Sequence, residues 1–310
     1  MLTVSNQHSI RYLYLCHQFL VMYLLFYISV PSHAQTEHYI ALRTEAGFAS
    51  LLDNISATSF STGGTVGVGA DWMLRHRSLL FSAGLILNGS YTSCSVSSSV
   101  SDLPALDTEG DGFTYHVELS GRHDDAFRLE AGIPLLLGMQ AGKFYFMVGP
   151  QIQLAILASG TTDAILNTRG DYERASEPLV NMPNHGFYAD WPTKTRGQHL
   201  TFLPNLAVRA EIGGEITPVT TEKGFDVQRP RYRYYLSAVA LYGLLNRHPE
   251  RSEGAVFSIG NDEGIKTNIN HIYKSDAALG ARLNDLVVGL RFTILFPLPE
   301  KKHCVICNDY

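Results

Sequence analysis

Near its end the chain reads "LVVGLRFTILF", Leu286 to Phe296, with Leu286, Val288, Leu290, Phe292, Ile294 and Phe296 on every second position. Gly289, Arg291 and Thr293 fall between them. A period of two over this length predicts a strand with one wholly apolar side. The pattern then recurs along the chain, and that recurrence limits the fold more than any other feature.

Ile40, Leu42, Thr44, Ala46 and Phe48 alternate with Arg43, Glu45 and Gly47. Val66, Val68, Ala70, Trp72 and Leu74 alternate with Gly67, Gly69 and Asp71. Leu79 to Leu87, Phe127 to Leu137, Phe144 to Ile156, Leu206 to Ile216 and Tyr232 to Leu244 repeat the arrangement. With the closing segment these make eight strands, each long enough to cross a bilayer at a steep tilt. "FTYHVELSG", Phe113 to Gly121, alternates as well. It is read as an outward extension of the fourth strand or as a hairpin within a loop, and a ten-stranded ring is the alternative.

The connections alternate in length. Arg75 to Ser78 and Ala141 to Lys143 are tight turns, whereas Ser50–Gly63, Ser93–Asp125, Ser159–Thr201 and Arg247–Leu283 are long and polar. Thr217 to Pro230 is intermediate. Short turns at one end and long loops at the other predict an all-β, closed, antiparallel up-and-down transmembrane barrel of about eight strands with a small lumen.

Composition decides which side faces what. Charged residues make up only 17% of the chain, and the net charge of −5 comes without any basic block, so nucleic acid is not an expected partner. A soluble barrel, the competing reading, wets its outer face freely with Lys, Glu and Asp. Here lysine is almost missing from the strand interiors, and the second face carries mostly Gly, Ser, Thr, Asn and Gln. Its charges, Arg43, Glu45, Asp71, Arg128, Glu130, Arg209, Glu211, Glu215 and Arg291, suit mutual pairing in a narrow lumen. Trp72, Phe81, Phe144, Phe146, Tyr232, Tyr234, Phe292 and Phe296 gather near the short-turn end as one aromatic girdle. Phe48, Tyr91, Phe127, Phe202 and Tyr242 are expected to form the opposite belt. Lipid is therefore the expected environment of the apolar side, and the cell outer membrane the expected location.

Three segments are expected. Residues 1–34 read as a secretory signal, with the apolar run Phe19 to Val30 and small Ser32 and Ala34 before the cut. Residues 35–296 form the barrel, and residues 297–310 a periplasmic tail that carries Cys304 and Cys307. Three cysteines after cleavage do not make a disulfide scaffold.

"EAGIPLLLG" (Glu130 to Gly138), "GKFYFMVGPQIQL" (Gly142 to Leu154) and the last strand resemble the small outer-membrane β-barrel domain family, which includes OmpA- and OmpX-like barrels and PorT-type proteins. The resemblance implies an integral outer-membrane protein with no shared catalytic residues. It also implies an alternative role as a PorT-like component of a protein export assembly, with a periplasmic partner at the tail. A narrow channel or an enzyme of the outer membrane is a third reading. The long loops are expected to meet an extracellular ligand or protein.

Chemistry is not expected. His123 beside Asp124 and Asp125 offers a generic His–Asp pair at the outer rim, and His185 and Ser159 stand alone. No nucleophile elbow, zinc-helix motif or phosphate loop occurs, so no metal or cofactor is expected. "RGD", Arg169 to Asp171, is too short a match to carry a role. Phe187, Tyr188 and Trp191 beside Asn184 and His185 either line a glycan or protein surface or pack over the barrel mouth.

Overall fold

The structure is a computed structural model that describes residues 36–106, 110–173, 177–217, 232–249, 252, 254–260 and 266–298. The expected signal segment and the tail with Cys304 and Cys307 lie outside the described residues. Among the described residues the strands are β1 (Thr36–Asp53), β2 (Thr62–His76), β3 (Leu79–Val96), β4 (Ser99–Leu106), β5 (Gly112–Ala141), β6 (Phe144–Tyr172), β7 (Leu179–Val180), β8 (Trp191–His199), β9 (Asn205–Glu215), β10 (Arg233–Gly243), β11 (Phe257–Gly260), β12 (Lys266–Ile269) and β13 (Leu283–Pro297).

Eight of them close an antiparallel ring in the order β1, β2, β3, β5, β6, β9, β10, β13. Closure is made by β1 and β13, paired from Tyr39↔Pro297 to Asp53↔Leu283, so the first and last strands leave no open edge. β2 passes to β3 through Arg77 and Ser78, and β5 to β6 through Gly142 and Lys143. Arg77 (φ 55°) and Gly142 (φ 60°) take the left-handed conformation that two-residue hairpins need.

The side-chain period sorts the two faces of the wall. On β9, Asn205, Ala207, Arg209 and Glu211 are buried inside while Leu206, Val208 and Ile212 are exposed outside. On β13, Asp285 and Arg291 point inward while Val288, Leu290 and Phe292 are exposed. The outer face is apolar along β5 from Met139 through Leu137, Leu135 and Ile133 to Phe127. At about 3.3 Å per residue and a tilt of roughly 40°, that span stands about 30 Å tall.

Two long connections expected as loops are largely strand. β5 and β6 run for 30 and 29 residues, well past the point where β3 and β9 stop pairing with them. Ser159–Thr201 therefore contains nearly half of β6 and all of β8, and Ser93–Asp125 contains the end of β3, all of β4 and the start of β5. Phe113 to Gly121 both continues the fourth ring strand and forms a hairpin with β4. The periodicity hides this because of bulges. One places Ile156 between Leu157, opposite Leu129, and Ala155, opposite Glu130. Ile156 and Leu157 then both face outward, and the buried positions change from odd to even numbers. A second irregularity, between Ser120 and His123, flips β5 in the same way.

Buried side chains fall in layers. Tyr39, Met73, Leu80, Leu136, Met147 and Leu295 pack inside at the short-turn end. Leu51, Ile55, Cys94, Phe202, Ile272, Tyr273 and Leu283 pack across the other end of the ring. Phe202 thus belongs inside and not to the outer aromatic belt, because it lies on the segment that turns in between β8 and β9. A third group, with Phe113, Tyr115, Leu166, Phe187, Phe257 and Ile269, lies in the strand extension.

Candidate functional site

Between the two apolar layers of the ring the interior is charged. Glycines opposite make the room: a side chain at Gly69 would strike Arg43, and one at Gly84 would strike Asp71. In the cluster nearer the short turns, Arg43 pairs with Asp71, and Arg291 bridges Asp71 (3.0 Å) and Glu211. Arg209 pairs with Glu45, donates to Glu211 at 2.7 Å and donates to Gln151 at 3.1 Å. Three arginines thus face three carboxylates.

A second cluster sits nearer the long connections. Arg128 meets Asp285 at 2.7 Å and Glu130 at 3.4 Å. Arg247 meets Asp285 at 2.5 Å and Glu130 at 2.6 Å. Asn205 ties the cluster to the wall, donating to Gln153 at 2.9 Å and to Asp285 at 3.1 Å. Phe202 lies against both cations, 5.2 Å from the Arg128 guanidinium carbon and 5.7 Å from that of Arg247. Here two arginines face two carboxylates. Between the clusters lies a cavity of about 10 Å³, room for roughly one water.

The structure thus brings eight of the nine expected lumen charges inside. Glu215, the ninth, lies at the short-turn rim and accepts from the Tyr235 hydroxyl at 3.3 Å. Arg247 and Asp285 complete the second cluster. Arg247 gave no sequence signal, since it begins a polar connection with no period to place it. The girdle residues all sit on the outer face, with ring contacts between Trp72 and Phe81, Tyr232 and Phe296, and Tyr234 and Phe292. Phe144 and Phe146 are exposed beside the second tight turn.

The His–Asp pair at the rim is not assembled as a dyad. His123 and Asp124 are neighbours on a strand and point to opposite sides. His123 is exposed and bonds Ser95, while buried Asp124 is held by two nitrogens of Arg122 at 2.8 and 2.6 Å. A different histidine joins two carboxylates: His116 on β5 contacts Asp102 of β4 at 2.5 Å and Asp171 of β6 at 2.6 Å. This contact clasps three strands of the extension together, and it fixes the aspartate of the Arg169–Asp171 tripeptide within a strand. Cross-strand register, absent from a linear reading, creates it. Phe187 is buried against Phe113 and Tyr115, whereas Trp191 is half exposed beside Tyr188. Among the described residues no group of three His, Cys, Asp or Glu side chains is arranged to hold a metal ion.

Segment 268–283 crosses the barrel mouth. Ile272 donates its N–H to Asp124 at 2.5 Å, the Tyr273 hydroxyl donates to Asp53 at 2.9 Å, and Asn270 accepts from Arg122 at 2.6 Å. Burial, then the neighbouring Cys94 and Asp53, push the Tyr273 hydroxyl well above the usual phenol range. Burial likewise lowers the pKa of His271.

No family model and no curated protein matches this chain. Among solved structures it is similar to the outer membrane protease OmpT from Escherichia coli, at 8% identity and a TM-score of 0.26 over 87% of this chain and 99% of that one. It is also similar to OccK5 (OpdH) of Pseudomonas aeruginosa, at 7% identity and a TM-score of 0.09 over 86% of this chain and 99% of that one. The outer membrane protein opdK from the same organism gives 8% identity and a TM-score of 0.08, over 85% and 98%. Likeness at this level has no bearing on function; the class of fold, an eight-stranded antiparallel β-barrel, stands on the strand pairing of the chain itself.

Proposed function

We propose that this protein is an integral outer-membrane barrel, not an enzyme. In this reading it carries a closed lumen and presents its strand extension and cap for recognition or cell-envelope contact. One observation carries the reading: a closed ring whose outer face is apolar for about 30 Å and turns polar at Asp125 on β5 and Ser159 on β6. Water would strongly disfavour so much exposed apolar surface, whereas hydrocarbon solvates it at no cost. With no edge, every strand satisfies its backbone within the ring, as a bilayer requires.

The closed lumen is supported by its contents. Apolar layers cover both ends, and two internally neutral charge clusters fill the middle, leaving a water-sized cavity. Solute diffusion needs a wider ring. The resemblance to small outer-membrane barrels fits this role, and no described residue favours the export or channel alternatives.

Membrane fractionation with heat-modifiable gel mobility tests the location, and planar-bilayer recording tests the lumen. A membrane-bound, heat-shifting, non-conducting protein is expected. A soluble product overturns the reading, and a steady single-channel current overturns the closed lumen.

A further inference from the structure

His271 lies under the cap with no exposed surface, between the extension and the barrel mouth. Its Nδ1 accepts the backbone N–H of Tyr273 at 3.2 Å, so this nitrogen carries no proton. Its Nε2 therefore carries the hydrogen and donates to the carbonyl of Asp125 at 3.1 Å. Both ring nitrogens are thus used, and only the neutral tautomer satisfies them. The backbone N–H of His271 donates to Gln198 of β8 at 2.7 Å, and the ring packs against Gly160 of β6. A turned ring would lose both of its bonds.

A second proton would sit on Nδ1 and face the Tyr273 N–H, donor against donor. Every charged neighbour is already committed. Asp124 of β5 has one oxygen 3.9 Å from Nδ1, yet that carboxylate is held by Arg122 and by the Ile272 N–H. Burial and Arg122 oppose a positive ring, the Asp124 and Asp125 carboxylates favour one, and burial outweighs them, while Asp125 offers its backbone carbonyl to Nε2. No uncommitted acceptor faces the new proton.

We propose that His271 is an acid-sensitive latch: protonation at Nδ1 releases the turns Ile272–Lys274 and Asp276–Ala278 from the barrel mouth and uncovers the Arg128–Asp285–Arg247 cluster. The depressed folded pKa agrees in sign. A histidine whose folded pKa lies below its unfolded value of about 6.5 contributes full cap stability above that pH. The contribution falls as pH drops below it, by up to tenfold in the opening equilibrium per pH unit. The latch does not depend on where the protein resides.

Cys94 supplies a reporter, since its buried thiol packs with Ile272 and Tyr273 under the cap. In the full chain with Cys16, Cys304 and Cys307 changed to Ser, Cys94 is labelled with dithiodipyridine and the rate is divided by that of the urea-unfolded chain at the same pH. Between pH 7.5 and pH 5 this ratio is expected to rise up to about 30-fold, with strand circular dichroism unchanged. His271→Gln, whose amide accepts and donates without titrating, is expected to flatten the response, and His248→Gln, at the second buried histidine, whose Nε2 lies 3.0 Å from the Tyr273 carbonyl, is expected to keep it. A flat wild-type ratio, an equal acid response in His271→Gln, or a response abolished by His248→Gln overturns the proposal.

Discussion

Arg247 and Asp285 lie 38 residues apart in the chain and 2.5 Å apart inside the ring. The second oxygen of Asp285 receives Arg128 from the opposite wall, so one carboxylate holds two buried guanidinium groups. Asp285→Asn keeps the shape and removes the charge, leaving Glu130 to balance both cations. Uncompensated buried charge of this kind costs about 3–5 kcal/mol. Urea unfolding of the detergent-folded protein should show that loss, whereas Lys194→Ala, which breaks an exposed pair with Asp163, should change stability by less than about 1 kcal/mol.

The outer face should respond to charge according to height. Leu290 is 61% exposed in the middle of the apolar band, while Ile165 is 40% exposed on the extension. If lipid surrounds the band, Leu290→Arg costs about 2–4 kcal/mol, and Ile165→Arg stays within about 0.5 kcal/mol. Folding into vesicles followed by denaturant titration compares them. Two small effects would argue for water at both sites.

Space inside the ring is set by glycine. A methyl at Gly84 meets the Asp71 side chain and the neighbouring strand, while one at Gly89 meets nothing within 4 Å. Gly84→Ala is therefore expected to cost about 1–3 kcal/mol through overpacking. Gly89→Ala should be neutral or slightly stabilising, since it lowers the freedom of the unfolded chain. Paired melting curves in detergent read the difference.

The extension ends in open edges, β4 on one side and β8 on the other, and each carries a proline, Pro104 and Pro192. Proline offers no N–H to an incoming strand and so blunts an edge. Replacing both by Thr should promote association between copies, visible as concentration-dependent larger species in light scattering. Unchanged monomer dispersity would show that the prolines have no protective role.

Where the period of two is unbroken, the fold was legible. β9 and β13 alternate without interruption, and the inward charges Arg209, Glu211 and Arg291 followed from that phase alone. The extension was not legible because Ile156 adds one residue and reverses the phase. Past it, Ala164 and Leu166 lie inside and Ile165 outside, a sequence that resembles an irregular polar loop. Asp285 lies in phase on the inward face of β13, but its partner Arg247 comes from a connection. His116 and its two carboxylates are spaced 14 and 55 residues apart and meet only through strand register.

β5 and β6 pass from the tight turn at Gly142 to the pair Phe113↔Tyr172 as one ladder, interrupted by two bulges. A pull or a torque applied at the far tip is therefore borne in shear by many backbone hydrogen bonds acting together, with no hinge between tip and ring. Whatever grips the tip also grips the barrel, and a tether there would drag on the whole molecule before the wall peeled apart.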